Sequence, residues 1–217
     1  VELMRRLGVD AYRFSISWPR IFPQGTGRMN PKGFDYYHRL VDSLLAAGIM
    51  PCVTLYHFDL PQALEDAGGW PARDTAKYFA DYARTCFEHL GEKVKFWMTI
   101  NEPTCCSYSS YESGKLAPGY NDGQSAFSAA HHVLLGHGLA VKAFRQGGFE
   151  GMIGIACDVN GAVAASDSEQ DKAAADKAKD GWGGRFILDP LFGRGYPQRF
   201  TGLYPERHIP IEPGDME

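Results

Sequence analysis

Apolar and polar residues follow two different periods along the chain, and the two periods alternate. Short, nearly continuous apolar runs predict four strands, at 11–17, 50–57, 94–101 and 152–157. Between and around these runs, apolar residues at helical spacing predict four helices, at 1–7, 30–48, 72–90 and 124–146. The polar, Ala-rich segment at 168–182 predicts a fifth helix, at the surface. The predicted order of elements is therefore αβαβαβαβα.

Two of the predicted helices have well-defined apolar faces. Asn30 and Pro31 can open the first of them and Gly48 can close it, because proline favours the first helical position and glycine the position after the end. Its inward face is predicted to carry Phe34, Tyr37, Leu40, Val41, Leu44 and Leu45. The inward face of the helix at 72–90 is predicted to carry Phe79, Tyr82, Ala83, Cys86, Phe87 and Leu90.

The predicted strands are apolar along their whole length, which is typical of parallel strands buried on both faces. Strand–helix repetition then leaves two architectures, an open doubly wound sheet or a closed (β/α) barrel. No GxGxxG follows the first strand and no GxxxxGK[ST] occurs, which disfavours the nucleotide-binding versions. Every predicted strand ends in polar side chains, which are Ser15, Ser17, His57, Asp59, Asn101, Glu102, Asp158 and Asn160. Sites of (β/α) barrels are built at such strand ends, so the pattern favours a barrel.

Composition and charge narrow the class of protein. The chain of 217 residues is 44% hydrophobic and 22% charged, as in globular proteins, and its net charge of −4 indicates no nucleic-acid partner. No apolar run reaches the roughly 18 residues of a membrane span, so no membrane is expected. The five cysteines include no CxxC and their odd number disfavours a disulfide scaffold. Buried free thiols, and hence a reducing, cytoplasmic compartment, are the expectation.

The segment "KFWMTINEPTCC", residues 95–106, carries the most informative chemistry. A predicted buried strand runs directly into Asn101 and Glu102, and Pro103 ends it because proline cannot donate to a strand ladder. At the mouth of a barrel, one of the two side chains could bind a ligand hydroxyl while Glu102 transfers a proton. A carboxyl group in apolar surroundings is suited to general-acid work near neutral pH. The alternative, an ion pair of Glu102 at a strand end, fits the spacing equally well.

Long motifs in the chain resemble those of glycoside hydrolase family 1, the β-glucosidases and their relatives. They are "YRFSISWPRIFPQGTG", "GIMPCVTLYHFDLPQAL", "DAGGWPARDTAKYFADYA", "VKFWMTINEP", "LAPGY", "HHVLLGHGLAV" and "RFILDPLFGRGYP". The resemblance implies an α/β fold that is a partial (β/α)8 TIM barrel, with strands 2 to 5 and their flanking helices. It also implies that residues 1–217 are the N-terminal half of a single (β/α)8 glycosidase domain, truncated at both ends.

The resemblance also implies a role for several residues. Glu102 matches the catalytic acid/base, and Asn101 beside it matches the residue that contacts the sugar 2-hydroxyl. His57 matches a ligand of the glycone hydroxyls, Arg13 the arginine beside the nucleophile, and Asn160 the asparagine near the site on strand 5. The family's nucleophile, a Glu in a TENG-type motif, and its N-terminal glutamine ligand have no counterpart in this sequence.

Three positions depart from the family's pattern. Phe58 stands where the family usually has Trp, which keeps an aromatic wall at the substrate but removes an N–H donor. Thr104 replaces the Trp that usually follows the "NEP" motif, and Ser110 replaces a Gly before Tyr111. These changes affect the expected subsites and leave the expected reaction unchanged.

The implied activity is that of a retaining β-glycosidase, of β-glucosidase type, acting on a small-molecule β-glycoside or oligosaccharide. Neither a cofactor nor a metal is expected. The fragment alone is predicted to be inactive, because only one of the two catalytic carboxylates matches. A non-catalytic sugar-binding or structural remnant of the same barrel is one alternative, and a (β/α)8 glycosidase with its second carboxylate elsewhere is another.

Histidine and cysteine clusters offer other chemistry. His131, His132 and His137 could suggest a metal site, but 132 and 137 are five residues apart, off the i,i+4 face that zinc-binding helices use. Helix packing is the favoured interpretation. Cys105 and Cys106 could form a redox pair, yet adjacent cysteines bridge only with strain.

Aromatic residues near strand ends are candidates for stacking on sugar rings. Trp18, Phe58, Trp70 and Trp97 are considered, and Trp18 and Phe58 are favoured because they follow strand ends directly. Asp59 is a further acid at a strand end, and it is interpreted as a structural residue.

Overall fold

The computed structural model describes residues 1–216, which fall into two compact units. The first unit comprises 1–69, 73–101 and 136–156, and the second comprises 70–72, 102–135 and the residues from 157 onward. The expectation of a single glycosidase domain stays a prediction. Within residues 1–216, no helix combines the length and the hydrophobicity needed to cross a membrane.

The first unit contains a parallel sheet of four strands in the order β1-β2-β3-β4. The strands are β1 (Ala11–Ser15), β2 (Met50–Tyr56), β3 (Phe96–Asn101) and β4 (Met152–Ala156). Register pairs Ser15 with Thr54 and Tyr56 with Ile100. Because all strands are parallel, their carboxyl ends lie along one edge of the sheet, and all four predicted strands are confirmed.

The helices are α1 (Glu2–Leu7), α2 (Trp18–Ile21), α3 (Pro31–Ala46), α4 (Gln62–Asp66), α5 (Asp74–Leu90), a π-helix (Cys105–Glu112), α6 (Gly123–Gln146), α7 (Glu169–Asp180), α8 (Arg185–Leu191) and α9 (Gln198–Thr201). The predictions of α1, α3, α5, α6 and α7 are confirmed, with ends that differ by a few residues. The sequence did not indicate α2, α4, α8, α9 or the π-helix. Each has eight residues or fewer, too short for a helical period to be recognised.

The core of the first unit forms where α3 and α5 bury the predicted faces. All six residues predicted to face inward on α5 are buried. On α3, the prediction for Leu45 is wrong, because its side chain is 42% exposed whereas Leu44 is fully buried. Adjacent helical positions diverge by about 100°, so the apolar stripe is wide enough for only one of this pair.

The expectation of strands buried on both faces holds for β2 and β3 but is wrong for β1 and β4. Most of β2 and β3 is buried, whereas Arg13 of β1 is exposed and Met152 of β4 is 63% exposed. The difference follows from the strand order, because β1 and β4 are the outer strands and each has a neighbour on one side only.

An aromatic cluster forms the core of the second unit. Phe186 lies at its centre, with its ring 4.6 Å from that of Trp182, 5.0 Å from Phe127 and 5.1 Å from Phe200. Rings in these tilted and edge-to-face arrangements bury large apolar areas with favourable electrostatics. The cluster joins the N-terminal part of α6 with α8 and α9.

Candidate active site

Arg13 connects three strands of the first unit through its guanidinium. Its Nε donates to Thr54 Oγ1 over 2.9 Å and its Nη2 donates to Asn101 Oδ1 over 2.6 Å. Asn101 is buried, with 4% of its surface exposed. A planar guanidinium presents several donors in a fixed geometry, so it can hold the hydroxyl and the amide at the same time. The structure therefore brings together two of the predicted site residues, Arg13 and Asn101.

A register shift in β3 places Asn101 where Arg13 can reach it. Strict alternation would put Met98 and Asn101 on opposite faces, because they are three residues apart. The pairing of β3 with β4 is irregular between these two residues. Thr54 Oγ1 contacts Met98 Sδ over 3.9 Å and also receives the bond from Arg13, so Met98 and Asn101 share the face of Arg13. Such irregularities often re-aim a side chain next to a functional site.

His57 and Phe58 follow the carboxyl end of β2, and both are exposed. Phe58 has φ of 72°, in the left-handed region that is a genuine outlier for a bulky residue. Its ring stands edge-on to His57, with centroids 4.9 Å apart. The strained backbone turns the chain sharply after the strand, and strain of this kind clusters at binding sites.

The Asp59 carboxylate is hydrogen-bonded to the backbone of this turn. Its Oδ1 accepts a hydrogen bond from the His57 backbone N–H over 3.4 Å. Burial raises the pKa of the Asp59 carboxyl, and hydrogen bonds from Ser17 and from the backbone of His57 and Trp18 partly oppose that rise. These contacts tie the end of β2 to the chain after β1, as expected for a structural acid.

Glu102 belongs to the second unit and also has a left-handed backbone, with φ of 48°. Its carbonyl accepts from the N–H groups of Cys105 over 2.9 Å and of Cys106 over 3.1 Å, which begins the helical turn after Pro103. Its carboxylate Oε2 accepts from the Cys105 thiol over 3.3 Å. Phe58 and Glu102 are the two residues other than glycine with positive φ in the described chain, and both are predicted site residues.

The π-helix at Cys105–Glu112 was not foreseen from the sequence. Ser107 Oγ donates to the Pro103 carbonyl over 2.7 Å, and Ser110 Oγ donates to the Cys105 carbonyl over 2.9 Å. Both hydroxyls therefore bond to carbonyls at the start of the π-helix. π-helical segments are frequently found at functional sites. The sequence carries no signal that distinguishes it, because Ser43 in α3 donates to the Arg39 carbonyl in the same way.

Asp158 was noted as polar at a strand end but was not among the predicted site residues. Its carboxylate Oδ2 lies 4.0 Å from the Cys105 thiol, which is also bonded to Glu102. Burial raises the pKa of Asp158, and the nearby charge of Glu102 adds to the rise. Asn160, the predicted site residue, is exposed, and its backbone N–H donates to the Gly183 carbonyl over 2.8 Å.

A cavity of about 600 Å³ lies in the second unit beside these groups. Its lining includes Thr104, Tyr108, Asp158, Asn160 and Trp182. The rings of Tyr108 and Trp182 lie 5.5 Å apart. The cavity thus combines aromatic faces with polar atoms, the composition of a small-molecule pocket.

All three candidate tryptophans are core residues. Trp18 is fully buried, it stacks on Tyr82 with centroids 5.1 Å apart, and its Nε1 donates to the Gly25 carbonyl. The preference for Trp18 as a sugar-stacking residue is therefore wrong, because it begins α2 and turns into the core of the first unit. Trp70 and Trp97 are also buried, at 1% and 2% exposure. Phe58, at 40% exposure, is accessible to a ligand.

The histidines of α6 have separate packing partners. His131 contacts Tyr196 through Nδ1 and Asp215 through Nε2, at 3.0 and 2.9 Å. His132 Nδ1 lies 3.1 Å from the Trp70 carbonyl. His137 Nδ1 lies 2.8 Å from Thr99 Oγ1, and burial lowers the pKa of His137 to about 4. Among residues 1–216, no group of three or more His, Cys, Asp or Glu side chains is placed to hold a metal ion.

Polar side chains after the parallel strands of a strand–helix repeat are typical of the (β/α)-barrel fold. The sequence model of glycosyl hydrolase family 1 matches residues 1–216. The chain belongs to this family, as its motifs indicated, and its fold is part of a (β/α)8 barrel.

Named relatives support this assignment. Beta-glucosidase A of Acetivibrio thermocellus is 44% identical over 211 residues, covering 97% of this chain and 47% of that protein. Among solved structures, the AHE enzyme from Alicyclobacillus herbarius is 46% identical with a TM-score of 0.95, covering 99% of this chain and 49% of the other. The β-glucosidase from Thermotoga maritima in complex with glucoimidazole is 45% identical with a TM-score of 0.90, covering 94% and 47%. The chain spans about half the length of these relatives.

Proposed function

We propose that the protein carrying this chain is a retaining β-glycosidase of β-glucosidase type that hydrolyses terminal β-D-glycosides. The observation that carries the proposal is Glu102, held with a strained backbone directly after β3, within an "NEP" motif of a chain 44% identical to a β-glucosidase. A backbone conformation that costs energy persists where the surrounding structure fixes it, which favours a functional role for Glu102 over a chance ion pair.

Glu102 is the proposed general acid and base. In the first step its carboxyl group gives a proton to the glycosidic oxygen while a second carboxylate attacks the anomeric carbon. In the second step the Glu102 carboxylate takes a proton from the water that releases the sugar. Retaining enzymes hold the two carboxyl groups about 5–5.5 Å apart. The chain supplies the acid/base, and the nucleophile is proposed to lie outside residues 1–217.

Asn101 and Arg13 are proposed to bind and position the sugar ring. Because the Arg13 guanidinium donates to Oδ1, it sets the orientation of the Asn101 amide and defines Nδ2 as the donor group. That donor suits a sugar 2-hydroxyl, whose hydrogen bond strengthens in the transition state. Arg13 is also the residue proposed to lie beside the nucleophile.

His57, Phe58 and Asn160 are proposed substrate-binding residues. His57 offers a ring nitrogen to the glycone hydroxyls, and Phe58 offers an exposed aromatic face. Asn160 lines the cavity of the second unit. The related enzyme from Thermotoga maritima has been solved with glucoimidazole and with castanospermine, which supports a small, sugar-like ligand for this protein as well.

The 217-residue chain alone is proposed to be inactive, because without a nucleophile no glycosyl-enzyme can form. A non-catalytic remnant of the barrel is the alternative function. It is favoured by one observation, that no TENG-type motif occurs in the sequence. The two proposals differ in whether the protein that carries this chain supplies a second carboxylate.

The test is the leaving-group dependence of Glu102→Gln in the full-length protein. General-acid help matters least for good leaving groups, so activity on alkyl or oligosaccharide substrates should fall far more than activity on activated aryl β-glucosides. Glu92→Gln, which changes an exposed glutamate after α5, is the matched control and should retain activity on both. Equal losses on the two substrate types would contradict the role, and an inactive full-length protein would favour the remnant.

A further inference from the structure

Two buried polar atoms at the cavity of the second unit have no hydrogen-bond partner among residues 1–216. One is Asp158 Oδ1, an acceptor, and the other is Trp182 Nε1, a donor. Burial raises the pKa of Asp158 and polar groups of Thr104 partly oppose the rise, but none of them reaches Oδ1 in hydrogen-bonding geometry. Buried polar groups are nearly always paired, so an unpaired acceptor and an unpaired donor at one cavity indicate a polar ligand.

The wall of the same cavity also offers aromatic rings. The ring of Trp182 lies 5.5 Å from that of Tyr108, and both residues line the cavity together with Phe200. On its other contacts, the Trp182 ring packs 4.6 Å from Phe186 and 5.7 Å from Phe127. The indole is thus held by the aromatic core of the second unit. Aromatic walls with a few polar atoms suit a ring-shaped ligand that has both apolar faces and hydroxyl groups.

The cavity adjoins the proposed acid/base through one side chain. Cys105 Sγ is 3.3 Å from Glu102 Oε2 and 4.0 Å from Asp158 Oδ2. In the proposed mechanism Glu102 protonates the glycosidic oxygen, so the leaving group lies on the Glu102 side of the scissile bond. Thr104, which stands where the family usually has Trp, also lines the cavity, and its smaller side chain leaves room for that group.

The charges of the cavity favour a neutral ligand. Asp158 and Lys177 are the charged side chains in its described lining, and their charges are opposite. A hydroxyl group can donate to Asp158 Oδ1 or accept from Trp182 Nε1, so a ring with several hydroxyls can pair both atoms. An alkyl group can pair neither, and binding it would leave both atoms without a partner.

We propose that this cavity binds the leaving group of the substrate as a neutral hydroxylated ring, and that Asp158 and Trp182 are the specificity-determining residues that recognise its hydroxyls. This inference rests on the proposed function and extends it, because it names the class of substrate. Glycosides whose leaving group is a sugar are preferred over glycosides whose leaving group is an alkyl chain, since only the sugar pairs the buried acceptor and donor.

The test compares two substrates of the full-length protein that share a glycone. Cellobiose has a sugar as its leaving group, and hexyl β-D-glucoside has an alkyl chain. Trp182→Phe keeps an aromatic ring and removes the N–H, so kcat/KM should fall about 10-fold more on cellobiose than on the hexyl glucoside. A general loss of folding lowers both values together and leaves their ratio in place, so the ratio separates recognition from stability.

Ala178→Phe tests the cavity without altering the aromatic core. Ala178 is an exposed residue of α7 that lines the cavity, so a larger side chain there should narrow it and lower the same ratio. Ala173→Phe is the matched control, because Ala173 is exposed on the same helix outside the lining and should keep the ratio of the unaltered protein.

A ratio that is unchanged in Trp182→Phe would overturn the inference, and if that variant does not fold, an unchanged ratio in Ala178→Phe would do so. Hydrolysis of both substrates with unchanged ratios leaves the proposed function standing and removes only the role of the cavity. A full-length protein that hydrolyses neither glycoside would contradict the proposed function, and the inference would fall with it.

Discussion

Arg13 Nη2 donates a hydrogen bond of 2.6 Å to Asn101 Oδ1, across 88 residues of sequence and from β1 to β3. The same guanidinium also donates to Thr54 on β2, the strand between them. The Arg13 side chain therefore sets the orientation of the Asn101 amide, which precedes the proposed acid/base in the sequence. It also links this amide to β1 and β2.

Arg13→Lys should lower activity with little loss of stability. A single ammonium cannot reproduce the two fixed donors that reach Thr54 and Asn101, so the amide should lose its set orientation. In the full-length protein we expect kcat/KM to fall by roughly 10²-fold, because small misplacements of binding groups have effects of that size. Arg6→Lys, on an exposed turn of α1, is the control and should behave as the unaltered protein. Steady-state kinetics measures the effect, and unchanged kcat/KM would argue that the amide does not contact substrate.

His57→Ala should also lower kcat/KM in the full-length protein, by roughly 10²-fold, because it removes a hydrogen-bond partner of the glycone and leaves the sugar hydroxyl unpaired. The Asp59 carboxylate accepts from the His57 backbone N–H, so the backbone turn should persist in the variant. Thermal unfolding should confirm that the loss is not one of folding. Kinetics close to those of the unaltered protein would show that His57 faces away from the sugar.

The sequence predicted the long elements and the strand end that carries Asn101 and Glu102 because their signals are local. The apolar run before Asn101 and Glu102 and the proline after them define a strand end in any fold of this class. The register shift after Met98 could not be predicted, since it arises from pairing with β4. The left-handed backbone conformation of Phe58 and Glu102 could not be predicted either, because neither residue type favours it.

Asp158 was not among the predicted site residues for a different reason. Asp158 and Asn160 both follow β4 and are two residues apart, and only the family resemblance pointed to Asn160. The structure places Asp158 against the thiol that contacts Glu102, whereas Asn160 is exposed. The contact of Asp158 with Cys105 could not be predicted, because it depends on the π-helix, an element that has no recognisable period.

Acidification should destabilise the protein through His137. Burial lowers its pKa from 6.5 in the unfolded chain to about 4 in the folded state. Folding therefore disfavours the charged form, so the stability is present above pH 6.5 and is lost as the pH falls toward 4. The shift corresponds to about 3 kcal/mol of the free energy of unfolding.

The measurement is urea unfolding of the full-length protein as a function of pH. His137→Gln can keep a hydrogen bond to Thr99 without titrating, so its free energy of unfolding should depend less on pH between 6.5 and 4. His208→Gln, at an exposed position, is the matched control and should retain the full dependence. Parallel pH curves for His137→Gln and the unaltered protein would contradict the assignment.

Residues 1–217 expressed alone should neither hydrolyse glycosides nor form a stable monomer. In the described sheet, β1 and β4 each pair with one neighbour, so each presents an edge of N–H and C=O groups to which another strand can add. Exposed apolar side chains at these edges also favour self-association, and Met152 of β4 is 63% exposed. Edges of this kind promote pairing between copies, so the chain should self-associate or unfold without cooperativity.

Light scattering tests for self-association, thermal unfolding tests for cooperativity, and turnover of an aryl β-glucoside tests for activity. The full-length protein is the control in all three measurements. A monomeric chain that unfolds cooperatively would refute the stability argument, and turnover by that monomer would show that a second carboxylate within these 217 residues acts as the nucleophile.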